Sequence, residues 1–135
     1  MILIAYDGSS DSRSAIDGAG ELIRGEPATV VTVWEPLSDV MARTGAGVSI
    51  VPGIVDFQEV DRAYEQSGRE RAAEGVERAQ RAGLNAQPRT RPRYTTIAGA
   101  ILEEARRGGS ARGSSHRFTW IPATLPSAEP LRPLR

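Results

Sequence analysis

Six apolar residues in a row, Met1 to Tyr6, open the chain, and the run stops at Asp7. A continuous apolar run of this length is typical of a strand buried on both faces of a parallel sheet. Helically spaced apolar residues follow it, and then the β-branched segment from Ala28 to Trp34. Strand, helix and strand in this order form a βαβ unit with a right-handed crossover. This start predicts an α/β fold, with an open parallel sheet and flanking helices.

Two helices are predicted in the first 83 residues. The first begins in the polar segment 9–12, which supplies N-cap candidates, and ends at Gly25. Residues 35–55 have no steady period and predict a long, mobile loop. A second helix is predicted from Asp56 to Ala82, with Gly83 after its end. Its predicted apolar face consists of Phe57, Val60, Tyr64, Ala72, Val76 and Ala79.

The segment from Leu84 to Tyr94 predicts a weak third strand. Pro88 and Pro92 cannot donate to a ladder, so this strand is expected at the edge of the sheet. Its alternating arginines share one face, which we interpret as solvated, with phosphate or RNA as the less favoured contact: Arg89, Arg91 and Arg93. A helix capped by Thr95 or Thr96 follows and ends at residues 108–109. Its predicted inner stripe is Ile97, Ala100, Ile101 and Ala105.

The composition changes after residue 107. Residues 108–135 are rich in Gly, Ser, Arg and Pro and keep neither a period of 2 nor one of 3.6. Segments of this kind bury too little apolar surface to fold. We therefore predict one domain over residues 1–107 and a disordered tail over residues 108–135.

Composition excludes several classes of function. The chain has 17 basic and 17 acidic residues, so no basic excess points to nucleic acid. All its basic residues are Arg, which excludes a P-loop with its lysine and Schiff-base catalysis. There is no Cys and one His, so no thiolate or His-based metal site is predicted. No signal or membrane-spanning segment is found, and a cytoplasmic protein without catalytic activity is expected.

The turn after the first strand, at residues 7–10, is the candidate site. In open α/β sheets, ligands bind at the carboxyl ends of the strands. A helix N-terminus at this point offers free N–H groups and a positive dipole end to a phosphate. Asp7, Gly8 and Ser9 are therefore candidate ligand contacts, although Asp-Gly-Ser is also an ordinary turn and cap.

Four segments in order resemble the universal stress protein family. Residues 2–10 are similar to the opening of these proteins, and residues 29–34 to their second strand. Residues 72–84 are similar to the end of their long second helix, and residues 98–105 to their third helix. The resemblance implies a five-stranded parallel sheet in the order 3-2-1-4-5. It also implies a crevice for ATP, in which Asp7 matches the family's acidic residue and Val33 the second-strand position whose backbone meets adenine.

The chain departs from that family after the third helix. ATP-binding members carry G-x-x-G, nine residues, and then Gly-Ser or Gly-Thr, and those glycines wrap the phosphates. Gly108, Gly109 and Gly113 do not have this spacing. The C-terminus is thus atypical or truncated, as a frameshift would make it, and the fourth and fifth strands are expected to be missing. The first strand would then be an exposed edge that invites self-association.

The resemblance implies a stress-response regulatory domain in which ATP binding is weak or lost. A homodimer or another stress-protein domain is the expected partner, with no nucleic acid and no membrane. Two alternatives stay open. One is a non-functional or purely associative remnant of such a domain. The other is a PP-loop enzyme that uses ATP, whose S-G-G-x-D-S signature is matched at Gly8, Asp11 and Ser12 only.

Overall fold

A computed structural model describes residues 2–45, 56–110 and 119–120 of the chain. Its strands are β1 (Ile2–Ala5), β2 (Pro27–Trp34), β3 (Asn85–Pro92) and β4 (Thr119–Trp120). Its helices are α1 (Ser10–Leu22), α2 (Leu37–Thr44), α3 (Phe57–Arg81) and α4 (Ile97–Ser110). The described strands form a parallel sheet in the order β3-β2-β1-β4. This is the open α/β architecture that the sequence predicts.

The first two strands form the buried centre of the sheet. They pair in parallel from Ile2 opposite Ala28 to Ala5 opposite Val31. Leu3 and Val31 are each 1% exposed, and the residues beside them on the other face are buried as well. The prediction of a first strand buried on both faces is therefore confirmed.

Helices α1 and α3 cover one face of this sheet. The core between helices and sheet is formed by Ile2, Ile4, Tyr6, Ile16, Ala19, Ala28, Val30, Ala79, Leu84 and Ala86. Close approach depends on glycine at one point in α3. A Cβ atom at Gly75 would lie 2.8 Å from both Tyr6 Cδ1 and Val30 Cγ1, which is closer than real contacts allow. Small residues therefore let α3 lie directly on the strands.

The inner face of α3 differs from the prediction. Ala72 and Ala79 are buried as expected, but Phe57 and Tyr64 are each 43% exposed. Gly68 and Gly75 are buried in their place. The short distance between α3 and the sheet at Gly75 leaves room there for small side chains only.

The predicted loop over residues 35–55 is wrong in its first part, because α2 forms there. Its start is fixed by α3, since the backbone N–H of Leu37 donates to Asp61 Oδ1 at 2.7 Å. Its end is a left-handed Gly45 with φ of 68°. The tertiary contact with Asp61 supplies a capping acceptor that the local sequence lacks. Residues 46–55 lie outside the described part of the chain.

The third strand lies where the prolines predicted it, at the end of the sheet. It pairs with β2 along its whole length, from Asn85 opposite Pro27 to Pro92 opposite Trp34. The predicted solvated face of arginines is present only in part, because 56% of the Arg89 side chain is exposed but only 29% of Arg91 and 13% of Arg93. Arg91 pairs with Glu104 of α4, and Arg93 Nη1 lies 3.1 Å from Glu35 Oε1. Helix α4 covers this face and brings the carboxylate to it.

The orientation of α4 also differs from the prediction. Thr96 caps the helix as expected, since its hydroxyl accepts from the N–H of Gly99 at 2.9 Å. The residues turned to the sheet are Ala100 and Glu104, each 6% exposed, whereas Ile97 is 50% exposed. The helix also continues past its predicted end, to Ser110. Because it pairs with the arginines of β3, Glu104 occupies a buried position on a face that was expected to be purely apolar.

The fourth strand was not expected, and a two-residue β4 is present. Thr119 and Trp120 pair in parallel with Ile2 and Leu3. The prediction that β1 would be an exposed edge is therefore wrong at those two residues. Thr and Trp are residue types enriched in strands, and only the neighbouring β1 ladder gives such a short segment its partners. The rest of the predicted tail, residues 111–118 and 121–135, lies outside the described residues.

Candidate functional site

The carboxyl ends of β1 and β2 lie at the same edge of the sheet, because the strands are parallel. The chain leaves β1 towards β2 on one side, and β4 lies on the other side of β1. β1 is thus the point where the strand order reverses. In open α/β sheets the crevice outside this point is where ligands bind.

The turn at residues 7–9 is held in place by its own side chains. Asp7 Oδ1 accepts from the backbone N–H of Ser9 at 2.9 Å. Gly8 has a φ of 82°, a left-handed conformation that favours glycine. Ser9 is the N-cap of α1, and its hydroxyl oxygen accepts from the N–H of Ser12 at 3.2 Å. The turn therefore presents the Asp7 carboxylate next to the start of α1.

The carboxylate of Asp7 is favoured in its ionised form. Hydrogen bonding by Ser9, through its side chain and then its backbone N–H, holds the pKa of Asp7 below its ordinary value of 3.8. Burial acts in the opposite direction but is the weaker effect than the Ser9 side chain. Asp7 is exposed, so at neutral pH the crevice carries an accessible negative charge.

Val33 lies on β2 beyond the point where β1 ends. The last ladder bond between the two runs from the N–H of Tyr6 to the carbonyl of Val31, at 2.9 Å. Backbone groups alternate between neighbours along a strand, so the N–H and C=O of Val33 face the β1 side too. Within the described residues, no backbone hydrogen bond joins them to the segment after β1. Val33 thus offers a free donor and acceptor to the crevice.

Thr32 explains why the ladder stops. Its buried hydroxyl donates to the carbonyl oxygen of Tyr6 at 2.9 Å. In a continuing parallel ladder that carbonyl would accept from the N–H of Val33. The side chain of Thr32 satisfies the acceptor instead, and the two chain segments separate after it.

A basic side chain of α3 lies over the turn. A Cβ atom at Gly8 would be 3.6 Å from Arg71 Cδ and 3.7 Å from Arg71 Nε. The stem of this exposed arginine therefore lies over the open side of Gly8, where a larger side chain would contact it.

Tyr6 connects the crevice to both helices. Its hydroxyl donates to Glu74 Oε1 at 2.7 Å, and Arg13 Nη2 lies 3.1 Å from the same oxygen. Burial and the bond to Glu74 raise the pKa of the Tyr6 hydroxyl. These three side chains tie the end of β1 to α1 and α3, and so fix the walls of the crevice.

The structure brings together all four residues named from the sequence. Asp7, Gly8 and Ser9 form one turn, and Val33 lies at the same edge of the sheet on the neighbouring strand. Sequence reasoning missed Thr32 and Arg71. Thr32 resembles an ordinary β-branched strand residue, and Arg71 is 63 positions from Gly8 in a helix with many charges. No local signal points to either.

The described residues contain no metal-binding cluster and no membrane-spanning helix. No group of three or more His, Cys, Asp or Glu in residues 2–45, 56–110 and 119–120 is arranged to hold a metal ion. In the same part of the chain, no helix combines the length and apolarity needed to cross a membrane.

The fold is an open α/β domain, and this crevice lies at the carboxyl edge of its sheet, where ligands bind in folds of this class. The fold is that of a universal stress protein. A solved structure of that family from Burkholderia pseudomallei superposes with a TM-score of 0.59 and 23% sequence identity, over 90% of this chain and 94% of the other. A second solved structure, described as a hypothetical protein, gives a TM-score of 0.52 and 18% identity, over 89% of this chain and 94% of the other. No protein-family model and no curated protein matches the chain.

Proposed function

We propose that the chain is a stress-response regulatory domain of the universal stress protein type, in which ATP binding is weak or lost. The fold shared with the Burkholderia pseudomallei structure supports the first part. The crevice supports the second. It has groups for the base and sugar of a nucleotide, while the sequence has no glycine motif for the phosphates.

Recognition of the base and the sugar of a nucleotide is proposed to depend on Val33 and Asp7. The free N–H and C=O of Val33 form the donor and acceptor pair that the edge of an adenine ring complements. The ionised carboxylate of Asp7 is an acceptor for the hydroxyl groups of a ribose. Both lie where ligands bind in folds of this class.

The missing glycine motif for the phosphates is the reason to expect a low affinity for ATP. Hydrogen bonds to charged groups contribute about 1.5–3 kcal/mol each, and each 1.4 kcal/mol is about a tenfold change in affinity. Loss of a backbone loop that holds the phosphates therefore lowers the affinity for ATP by several orders of magnitude.

Isothermal titration with ATP and with adenosine tests the proposal. We expect Kd values of the two ligands within about tenfold of each other, because the phosphates contribute little. Asp7→Ala should weaken the binding of both ligands. Asp11→Ala should not, and it serves as the control because Asp11 is an exposed carboxylate in the first turn of α1. Tight binding of ATP with weak binding of adenosine would contradict the loss of phosphate recognition.

The alternatives give other results in the same samples. An associative remnant shows no binding of either ligand, and a sedimentation profile dominated by dimers or larger species. A PP-loop enzyme releases pyrophosphate from ATP. A cytoplasmic regulatory domain that pairs with a second copy, or with another stress-protein domain, is the form in which we propose it acts.

A further inference from the structure

The β3 strand occupies one end of the sheet among the described strands. Its far side therefore carries backbone groups without a neighbouring strand. An edge of this kind is a template for pairing with a second chain. Which groups it offers follows from the register with β2.

Two backbone bonds fix that register. The N–H of Asn85 donates to the carbonyl of Glu26 at 3.1 Å, and the N–H of Arg93 donates to the carbonyl of Trp34 at 2.8 Å. Backbone groups alternate along a strand, so the odd-numbered residues of β3 face β2. The even-numbered residues face outward: Ala86, Pro88, Thr90 and Pro92.

Both prolines of β3 are thus at outward-facing positions. A proline has no N–H, so these two remove no bond to β2 and instead remove donors from the open edge. Only Ala86 and Thr90 keep an outward N–H. These donors are four residues apart, about 13 Å, where an ordinary edge offers one about every 7 Å.

Charge adds a second obstacle to pairing. In an antiparallel pair of two copies centred on Thr90, Pro88 lies opposite Pro92 of the second copy, and neither supplies a donor. Arg89 then lies opposite Arg91 of the second copy, on one face and at close range. Glu104 is near both arginines of its own copy, so each copy keeps one excess positive charge there.

We infer that the open edge of β3 is closed to strand addition, by prolines at its outward-facing positions and by like charges beside them. A partner of this domain, including a second copy, therefore does not extend the sheet by pairing with β3. This inference concerns self-association and does not depend on nucleotide binding.

Cysteine crosslinking tests the edge directly, because the chain contains no Cys. Thr90→Cys places one thiol at the centre of the edge, where a two-fold pair would bring the Cα atoms to about 5.5 Å, a distance that a disulfide spans. The crosslinked fraction after mild oxidation is compared in three backgrounds. These are the native prolines, Pro88→Thr with Pro92→Thr, and the control Pro27→Thr, a strand proline that does not lie on the open edge.

We expect the crosslinked fraction to be low in the native background and in the Pro27→Thr control. Replacing Pro88 and Pro92 should raise it about tenfold or more, which is equivalent to about 1.4 kcal/mol. Circular dichroism and a thermal melt establish that each variant is folded. If the double variant does not fold, Pro88→Thr and Pro92→Thr are tested as single replacements. Crosslinks that are already abundant with both prolines present would overturn the inference. So would a folded double variant that crosslinks no more than the control.

Discussion

The carboxylate of Glu104 in α4 is paired with the guanidinium of Arg91 in β3. The side chain of Glu104 is 8% exposed and that of Arg91 is 29% exposed. Arg89 approaches the same carboxylate, with its Nε 3.7 Å from Oε1. A carboxylate this well buried is placed there at a cost in solvation, which its two cationic neighbours offset. The pair joins α4 to β3.

Glu104→Gln should therefore destabilise the fold by about 1–3 kcal/mol, because it leaves the half-buried guanidinium of Arg91 without a charged acceptor. Urea unfolding measures the change. The matched control is Glu103→Gln, because Glu103 is 56% exposed and pairs with Arg107 on the surface of the same helix. An exposed pair of that kind contributes about 0–1 kcal/mol. Equal effects of the two substitutions would show that Glu104 does not fix α4.

Gly75→Ala is expected to lower stability although alanine is the better helix former. The added Cβ would meet Tyr6 and Val30 at 2.8 Å, and overpacking of this kind costs about 1–3 kcal/mol. Gly18→Ala in α1 is the control, because a Cβ there has no atom within 4 Å. It should gain up to about 1 kcal/mol from helix propensity. Thermal melts that shift in the same direction for both variants would contradict the close contact at Gly75.

Ser9→Ala removes the N-cap of α1. The hydroxyl of Ser9 accepts from the N–H of Ser12, and loss of such a cap costs about 0.5–2 kcal/mol. Ser10→Ala, one position further on and exposed, should have a much smaller effect on the free energy of unfolding. If Ser10→Ala lowers the free energy of unfolding in urea more than Ser9→Ala does, Ser9 is not the N-cap of α1.

The depressed pKa of Asp7 makes part of the stability dependent on pH. A carboxyl group with a folded pKa below its ordinary 3.8 stabilises the fold above pH 3.8, and this contribution is lost as the pH falls through the folded pKa. Asp7→Asn should thus be less stable than the native chain at pH 7, with the difference shrinking below pH 3.8. Unfolding in urea at a series of pH values measures it.

An NMR titration of the Asp7 carboxyl carbon provides the control for that prediction. Because the side chain of Ser9 is the largest cause of the lowered pKa, Ser9→Ala should raise the pKa of Asp7 towards 3.8. A titration curve of Asp7 that does not move in Ser9→Ala would mean that another group sets this pKa.

The sequence by itself determined six elements in their order along the chain, β1, α1, β2, α3, β3 and α4, and most of their ends. The apolar run before Asp7, the polar segment at residues 9–12 that contains the cap Ser9, and Gly83 after α3 act within a few residues, and local patterns report such effects. The two prolines placed β3 at the sheet edge for the same reason. The turn at Asp7 and its neighbouring strand residue Val33 were also within reach of sequence reasoning.

Only the tertiary structure decided what each helix turns towards the sheet. Glu104 replaces an apolar stripe in α4, Asp61 starts α2 in a predicted loop, and Arg71 lies over Gly8. The short β4 forms because β1 offers it a ladder. All four effects depend on groups that are distant along the chain. Periodicity within one segment cannot report them, because it contains the preferences of that segment and not the partner that the fold brings to it.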